Sequence, residues 1–539
     1  MTFRLLSAVS VLPELCLLAF GWKRRAIAFA AGLLAALSMA PVNFWPILAL
    51  SLPMLVWLLD GAMHLSKSQE KTPFRTGFAI GWWFGFGFFL ASLWWIGAAF
   101  LVDGDRFAWM IPLAIAGMVG GLALFPALFV AIAARFWNES SARIVWLALC
   151  LSAGEFVRGH VLTGFPWNAI GYAVGNNLYL LQSASIFGLY GVNLLVLIIF
   201  ASPAVLIDSK RNPGRRIVLG GGLAALLAMA AFGWINVHLA PEPELRETDL
   251  RIIQPAIPQN QKWLPENRDW IFERYLSMSA DALGGKARVG AERLEIWPES
   301  SLPFLLQQEP EAFVSIANAL NGHRNLALGA IRRVDEGGET AFFNSVYLLN
   351  GDGIIQDAYD KVHLVPFGEY LPFEDWLTEL GLRRLVDAPG AFKPGHRQKL
   401  LTLPSGISFL PLICYEAIFP ELSFVEGAQP DFLLNVTNDA WFGNTPGPYQ
   451  HLVQARMRAV EQGMPLVRAA NTGISALIDA KGRILQKTSF NEKAILDNPL
   501  PGRSGATVFA TYGNAATICL HLLLLLFWLT RTYNLRLSQ

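Results

Sequence analysis

This chain is short of charge. Asp, Glu, Lys and Arg make up 15% of its 539 residues, against 53% hydrophobic residues. That balance is too apolar for an ordinary soluble protein and typical of one that spans a membrane. The charges nearly cancel, at a formal net charge of +1 with no basic tract, so nothing points to nucleic acid as a partner. Cysteine is scarcer still. The chain has four, and the polar region holds only one, which excludes a disulfide framework or a CxxC zinc site there. No HExxH or comparable metal spacing occurs and no GxSxG elbow, so a zinc hydrolase and a serine hydrolase of that type are unsupported. No metal and no cofactor is expected. What the chain has in quantity is apolar sequence and tryptophan (18 residues), the residue of membrane–water interfaces.

Apolar runs lie at about 26–40, 44–60, 76–100, 108–134, 144–157, 178–207, 217–235 and 514–530. The longer ones match the roughly 20 residues a helix needs to cross a bilayer core. The opening run Leu5–Phe20 is broken by Pro13 and Glu14 and reads as an interfacial N-terminal extension over 1–22. A signal peptide is the alternative there, without a clear small-residue cleavage site before Lys23–Arg24–Arg25. Every second connection is basic: Lys23–Arg25, then Lys67, Lys71 and Arg75, then Arg135 and Arg143, then Lys210, Arg211, Arg215 and Arg216. The connections between them, such as Val102–Phe107 with Asp103 and Asp105, are poor in Lys and Arg. The positive-inside rule makes the basic loops cytoplasmic. Eight spans then deliver the polar region to the opposite side and return the tail, with Arg531 and Arg536, to the cytoplasm. The expected division is an extension over 1–22, seven helices over 23–240, a polar domain over 245–505 and a last helix over 510–531. Glu155 and Arg158, three apart on one helix face, can pair. With the following Thr163–Trp167 they read first as a helix terminus with an aromatic anchor, and alternatively as a path for a lipid head group.

The polar region mixes strands and helices, as one α/β or α+β domain does. Strands are expected at 250–254, 294–297, 326–331, 344–350, 354–359, 409–413, 432–436 and 467–470, and as a hairpin of 474–478 with 484–488. Helices are expected at 267–283 and 450–462. Glu299, Lys361 and Cys414 each fall at or just past a strand end, where a sheet gathers reacting groups. A lone thiol is ordinarily a small buried hydrophobe, so Cys414 gains meaning only in this company. A carboxylate can take its proton, an ammonium can hold the thiolate or an acyl oxyanion, and a backbone N–H such as that of Tyr415 can assist. Spacing alone leaves a Cys–His pair with His363 or His451 open.

The strings Ile296–Ser300 (IWPES), Lys361–Tyr370 (KVHLVPFGEY), Ile413–Glu416 (ICYE) and Asn438–Gly443 (NDAWFG) resemble the nitrilase superfamily. More narrowly they are similar to its membrane-embedded branch, the apolipoprotein N-acyltransferases, as are Leu162–Trp167 (LTGFPW) and Gly171–Tyr172. The resemblance implies a bundle of about eight transmembrane helices carrying a periplasmic α-β-β-α sandwich in the bacterial inner membrane. It implies an acyl transfer in two steps, from a phospholipid, typically phosphatidylethanolamine, to Cys414, and then to the amino group of an apolipoprotein's diacylglyceryl-cysteine. Glu299 would be the general base, Lys361 the oxyanion cation and Cys414 the nucleophile. Glu369, Tyr415 and Glu416 would support them, and Trp263 and Trp441 would stand at the substrate entrance. Such a site has to reach lipid, and Phe367, Tyr370, Leu371, Phe373 and Trp376 either dip into the interface or pack a core. A tethered amidase with the same triad is the rival enzyme, and a receptor or transporter with a degenerate domain is the non-enzyme reading.

Overall fold

The computed structural model describes residues 11–69, 72–102, 104–209, 213–281, 288, 291–322, 324–336, 339–372 and 392–537. Leu5, Lys71, Asp103, Lys210, Arg211, Phe373 and Trp376, all named above, lie outside the described residues. The chain divides into two compact units. One comprises Met1–Gly97, Trp109–Ala240 and Thr507–Gln539, the other Ala98–Ala108 and Pro241–Ala506.

Seven helices among the described residues, each wholly or mostly in the first unit, are long and apolar enough to cross a membrane: Trp45–His64, Pro73–Leu101, Gly104–Arg135, Arg143–Thr163, Ala184–Ile207, Gly214–His238 and Ala515–Tyr533. Eight runs were expected. The run at 26–40 forms the helix Gly21–Ala36, whose 16 residues rise about 24 Å at 1.5 Å each, short of the roughly 30 Å hydrocarbon core. Residues 11–17 are helical, and Cys16 is fully buried. Gly61 lets the backbone of Leu17 approach, since a Cβ at Gly61 would stand 2.1 Å from the Leu17 carbonyl oxygen.

Polar contacts tie together helix ends that the alternation puts on one side. Arg143 donates from Nε to Asp60 Oδ1 at 2.8 Å and from Nη2 to Asp208 Oδ1 at 2.7 Å, all three groups being largely buried. Asn138 reaches Thr532 at 3.3 Å. At the other ends, Asn168 donates to the Ser92 carbonyl at 3.3 Å and Asn236 to Gln182 at 2.7 Å. Arg143, counted above among the basic charges between spans, opens the helix Arg143–His160. Its one positive charge stands between two carboxylates.

In the second unit, two six-stranded sheets run β12-β1-β2-β3-β4-β5 and β11-β10-β9-β8-β7-β6. The first holds β1 (Thr248–Gln254), β2 (Glu292–Trp297), β3 (Arg324–Glu336), β4 (Glu339–Leu349), β5 (Ile355–Asp360) and β12 (Ala494–Pro499). The second holds β6 (Leu401–Thr402), β7 (Ser408–Ile413), β8 (Phe432–Thr437), β9 (Leu466–Ala470), β10 (Ala476–Ile478) and β11 (Ile484–Lys487). β1, β2 and β3 are parallel, as are β7, β8 and β9, and such strands are apolar on both faces because both faces are covered. Period-2 alternation sorts the side chains. Ile252, Ile296, Phe409, Ile413, Phe432 and Leu434 meet between the sheets. Leu326 and Leu328 face outward onto Ile271 and Tyr275 of helix Arg268–Ala280 and Ile316 of helix Pro310–Leu320. Leu410, Leu412 and Leu433 face outward onto Leu452 and Ala455 of helix Pro446–Gln462. The layers are helix, sheet, sheet, helix, the expected sandwich.

Candidate active site

β2 stops at Trp297 because Pro298 has no N–H to continue the ladder. The chain then turns through Ser300, whose φ is +48°. The turn lies hard against β3, where a Cβ on Gly329 would stand 2.5 Å from the Pro298 carbonyl oxygen and 2.6 Å from the Glu299 Cα. Ser301 N donates to the Gly329 carbonyl at 2.7 Å, which fixes the turn. Glu299 is thereby aimed inward and is 7% exposed. Its Oε1 accepts from Asn344 Nδ2 at 2.8 Å and its Oε2 from the Asn438 N–H at 2.9 Å. The buried ammonium of Lys262 donates to the Glu299 carbonyl at 3.2 Å.

Lys361 is the first residue after β5 and is 1% exposed. Its Nζ stands 2.8 Å from Glu369 Oε2 and 3.9 Å from Glu299 Oε1. Glu369 also accepts from Asn344 Nδ2 and from the Val365 N–H, both at 2.8 Å. Asn344 thus divides its two amide protons between the two carboxylates that flank the ammonium.

Cys414 follows β7 directly, in the other sheet, with φ at +50°. For a residue with a Cβ this left-handed backbone costs about 1–2 kcal/mol, so neighbouring contacts must hold it. Glu416 Oε2 accepts from the Ile413 N–H at 2.7 Å, and His451 Nε2 meets the Cys414 carbonyl at 3.1 Å. Glu416 Oε1 accepts from Tyr359 OH at 2.9 Å and from the N–H groups of Val362 at 2.8 Å and His363 at 3.1 Å. One buried carboxylate therefore stitches the Lys361 segment of one sheet to the Cys414 segment of the other.

The electrostatics follow from burial. Burial raises the Cys414 thiol above its ordinary value, and the Glu299 carboxylate adds to the rise against the opposing pull of Lys361. Burial also raises Glu299, partly offset by Lys361. Burial works against the Lys361 ammonium, but Glu369 and Glu299 outweigh it and hold it above its ordinary value. Lys262, buried with less compensation, is drawn down to about 8. The resting arrangement is a neutral thiol beside a carboxyl of raised proton affinity, with a permanent cation between two carboxylates. That set is suited to removing the thiol proton as the sulfur attacks, more than to keeping a standing thiolate.

The family described as apolipoprotein N-acyltransferase N-terminal domain matches residues 31–202, and the carbon-nitrogen hydrolase family matches residues 252–503. The chain is 45% identical over 520 residues to the apolipoprotein N-acyltransferase of Rhodopseudomonas palustris, covering 96% of each chain. It belongs to the apolipoprotein N-acyltransferase family. The enzyme of that name from Rhizobium rhizogenes is 44% identical over 502 residues, 91% of this chain and 92% of its own. Among solved structures, an amidase from Nesterenkonia sp. covers 49% of this chain and 94% of its own at 20% identity and a TM-score of 0.32. The chain is accordingly an acyltransferase with a nitrilase-like domain.

In this family member Trp263 and Trp441 come off the residues that hold Glu299. Trp263 follows Lys262 and is 45% exposed, while Trp441 is half-buried, three residues after Asn438. Tyr415 is buried, its ring against His363 and Phe419. Phe367 is 51% exposed, whereas Leu371 is buried and Tyr370 packs on Ile331 and Leu364. Glu155 and Arg158 do pair, at 2.5 Å, and Arg158 also donates to the carbonyls of Phe165 and Trp167. With its side chain fully buried, Arg158 is the staple of the helix terminus. Of the open Cys–His pairs, His451 meets the cysteine carbonyl through Nε2, while His363 lies 4.2 Å, centroid to centroid, from the Phe419 ring. Sequence reasoning missed Asn344, Lys262, Asp439 and Arg468. The available signal was their polarity within apolar strands and loops, above all Asn344 in Phe342–Leu349.

Proposed function

We propose that this acyltransferase N-acylates the diacylglyceryl-cysteine of apolipoproteins through a thioester on Cys414, with a membrane phospholipid as acyl donor. The observation that carries the reading is the meeting of Glu299, Lys361 and Cys414 at the ends of β2, β5 and β7, from two different sheets. In the first half-reaction Glu299 takes the thiol proton as the sulfur attacks the ester carbonyl of the phospholipid. The oxyanion forms beside Lys361 Nζ and the Tyr415 N–H. Its collapse breaks the C–O bond, and the departing alkoxide takes the proton from Glu299 to leave as lysophospholipid. In the second half the α-amino group of the lipoprotein cysteine attacks the thioester and gives a proton to Glu299. The C–S bond breaks, and the thiolate recovers that proton. Phosphatidylethanolamine is the proposed donor. Glu369 holds Lys361, Glu416 holds the two loops in register, and Trp263 and Trp441 line the way in.

The proposed division into an extension at 1–22, a membrane domain at 23–240, a catalytic domain at 245–505 and a final span at 510–531 places the catalytic domain in the periplasm. It also counts Gly21–Ala36 as an eighth span, the sequence alternation requiring it. The deciding experiment incubates the purified protein with phosphatidylethanolamine and then with a diacylated lipopeptide, followed by mass spectrometry. An acyl adduct on Cys414 that disappears as N-acylated lipopeptide forms is the expected result. Cleavage of a simple amide with no lipopeptide product would establish the amidase reading instead.

A further inference from the structure

We infer that His451 is a positioning residue for acyl transfer: by holding the Cys414 carbonyl it aims the Tyr415 N–H at the oxyanion. The inference rests on the thioester reading above. A peptide unit is planar and trans, so its C=O and N–H point in opposite directions and turn together. The carbonyl of Cys414 and the N–H of Tyr415 belong to one such unit. Anchoring the first aims the second.

The anchor is built for that task. His451 lies on helix Pro446–Gln462 and is fully buried, with Nε2 at 3.1 Å from the Cys414 carbonyl oxygen. An acceptor faces Nε2, so Nε2 carries a proton whichever charge the ring has. Nδ1 meets Asp439 Oδ1 at 2.9 Å and Arg468 Nη2 at 3.1 Å. Asp439 in turn accepts from Thr437 at 3.0 Å and from Arg468 Nη2 at 2.6 Å. A side chain on Gly473 would run into the Asp439 carboxylate, its Cβ only 2.4 Å from Oδ2. Arg468 also donates to Asn435 Oδ1, and Asn435 Nδ2 donates to the Leu412 carbonyl at 2.7 Å. The network leaves β7 at Leu412, crosses β8 and β9, and returns through the histidine to Cys414, just past the strand's end. Asn435, Asp439, His451 and Arg468 are each 0% exposed. A polar circuit this deep needs every member satisfied, which fixes the imidazole in one place. Its product is a firm grip on a carbonyl whose residue sits in a left-handed backbone. None of these groups has a part in the proton transfers described above, since Nε2 is committed to the carbonyl.

The test uses three variants of the full-length protein in detergent micelles. His451→Gln can place an amide N–H where Nε2 was. His451→Asn reaches Asp439 but falls short of the carbonyl, and His451→Leu offers no donor. Two rates are read at the Cys414 peptide by mass spectrometry: single-turnover thioester formation from phosphatidylethanolamine, and alkylation by iodoacetamide. Alkylation is a displacement at carbon that passes through no oxyanion. Loss of an oxyanion donor slows acyl transfer by about 10²–10³-fold, and a misaimed donor is expected to cost about 10- to 100-fold. The expected result is that Leu and Asn lose that much acylation while alkylating at the wild-type rate, and that Gln recovers most of it. Parallel loss of both rates, no loss of either, or a Gln variant as slow as Asn would each overturn the inference. A wild-type protein that alkylates at Cys414 but forms no thioester there would sink the thioester reading and this inference with it.

Discussion

Asn344→Ala separates the holding of Glu299, the proposed general base, from the holding of the fold. Asn344 gives one amide proton to Glu299 and the other to Glu369, each at 2.8 Å. A hydrogen bond to a charged group contributes about 1.5–3 kcal/mol, and one pKa unit corresponds to about 1.4 kcal/mol. Removing the bond to Glu299 therefore raises its proton affinity by about one to two units above an already raised value. The base works only when ionised, so the acid limb of thioester formation moves to higher pH by that amount. The cost to folding is partly offset. The β4 backbone keeps its pairing, and the substitution also removes Asn344 Oδ1, a buried acceptor with no partner among the described residues. The assay is single-turnover acylation of Cys414 followed by mass spectrometry across the pH range. About one pH unit below the wild-type midpoint the variant should run at least about tenfold slower, converging with wild type on the alkaline plateau. Asn344→Asp, which sets a third carboxyl beside the pair, should shift the limb further still. An acid limb left in place, with a uniform fall at every pH, would refute the assignment of Glu299 as base.

Further outcomes follow from the same geometry. In the wild type the acid limb itself should lie above the ordinary carboxylate range, because burial raises Glu299 and acylation is lost as pH falls through that raised value. A midpoint near 4 in the pH–rate profile would contradict this. Lys361→Met should abolish measurable thioester formation and also lower stability by about 3–5 kcal/mol, since it leaves Glu299 and Glu369 facing each other without a cation. Thermal unfolding in detergent checks the second part. Arg143→Met should cost a similar 3–5 kcal/mol by stranding Asp60 and Asp208, and the added pair Asp60→Asn and Asp208→Asn should restore most of it. A membrane-impermeant maleimide should label Cys414 from outside in cells with a permeabilised outer membrane. Labelling only in inverted vesicles would overturn the periplasmic assignment.

The placing of Glu299, Lys361 and Cys414 at strand ends was legible because each follows an apolar strand and sits in a distinctive string. The sandwich was legible because parallel strands covered on both faces leave unbroken apolar runs such as Phe409–Ile413 and Phe432–Val436. The Glu155–Arg158 pair was legible from spacing alone, since residues three apart on a helix are neighbours. Asn344 was not, because its meaning comes from two carboxylates far along the chain that only the sheet brings together. The same holds for Asp439 and Arg468, whereas His451 stood out only as one of two histidines that spacing left open to Cys414. The ties of Arg143 to Asp60 and Asp208 were not legible, because hydropathy sees a charge at a helix start and not the two aspartates that fold against it. Hydropathy likewise sees the apolar run at 26–40 but not where its helix stops.

The closure of the first sheet sets a schedule for making this protein. β1 is the first strand of the catalytic unit and β12 the last, yet they lie side by side from Asp249↔Pro499 to Gln254↔Ala494, clamped by Arg251 and Asp497 at 2.8 Å. Until the final strand has left the ribosome, β1 presents a row of unsatisfied N–H and C=O groups on its outer edge. A bare strand edge is a template for pairing with other chains, and pairing between distant strands is slow. Premature termination just before Ala494 would leave nearly all of this unit synthesised but β1 as a bare edge. Such fragments should be substrates for proteolysis and aggregation, with the triad residues present and the domain unsealed.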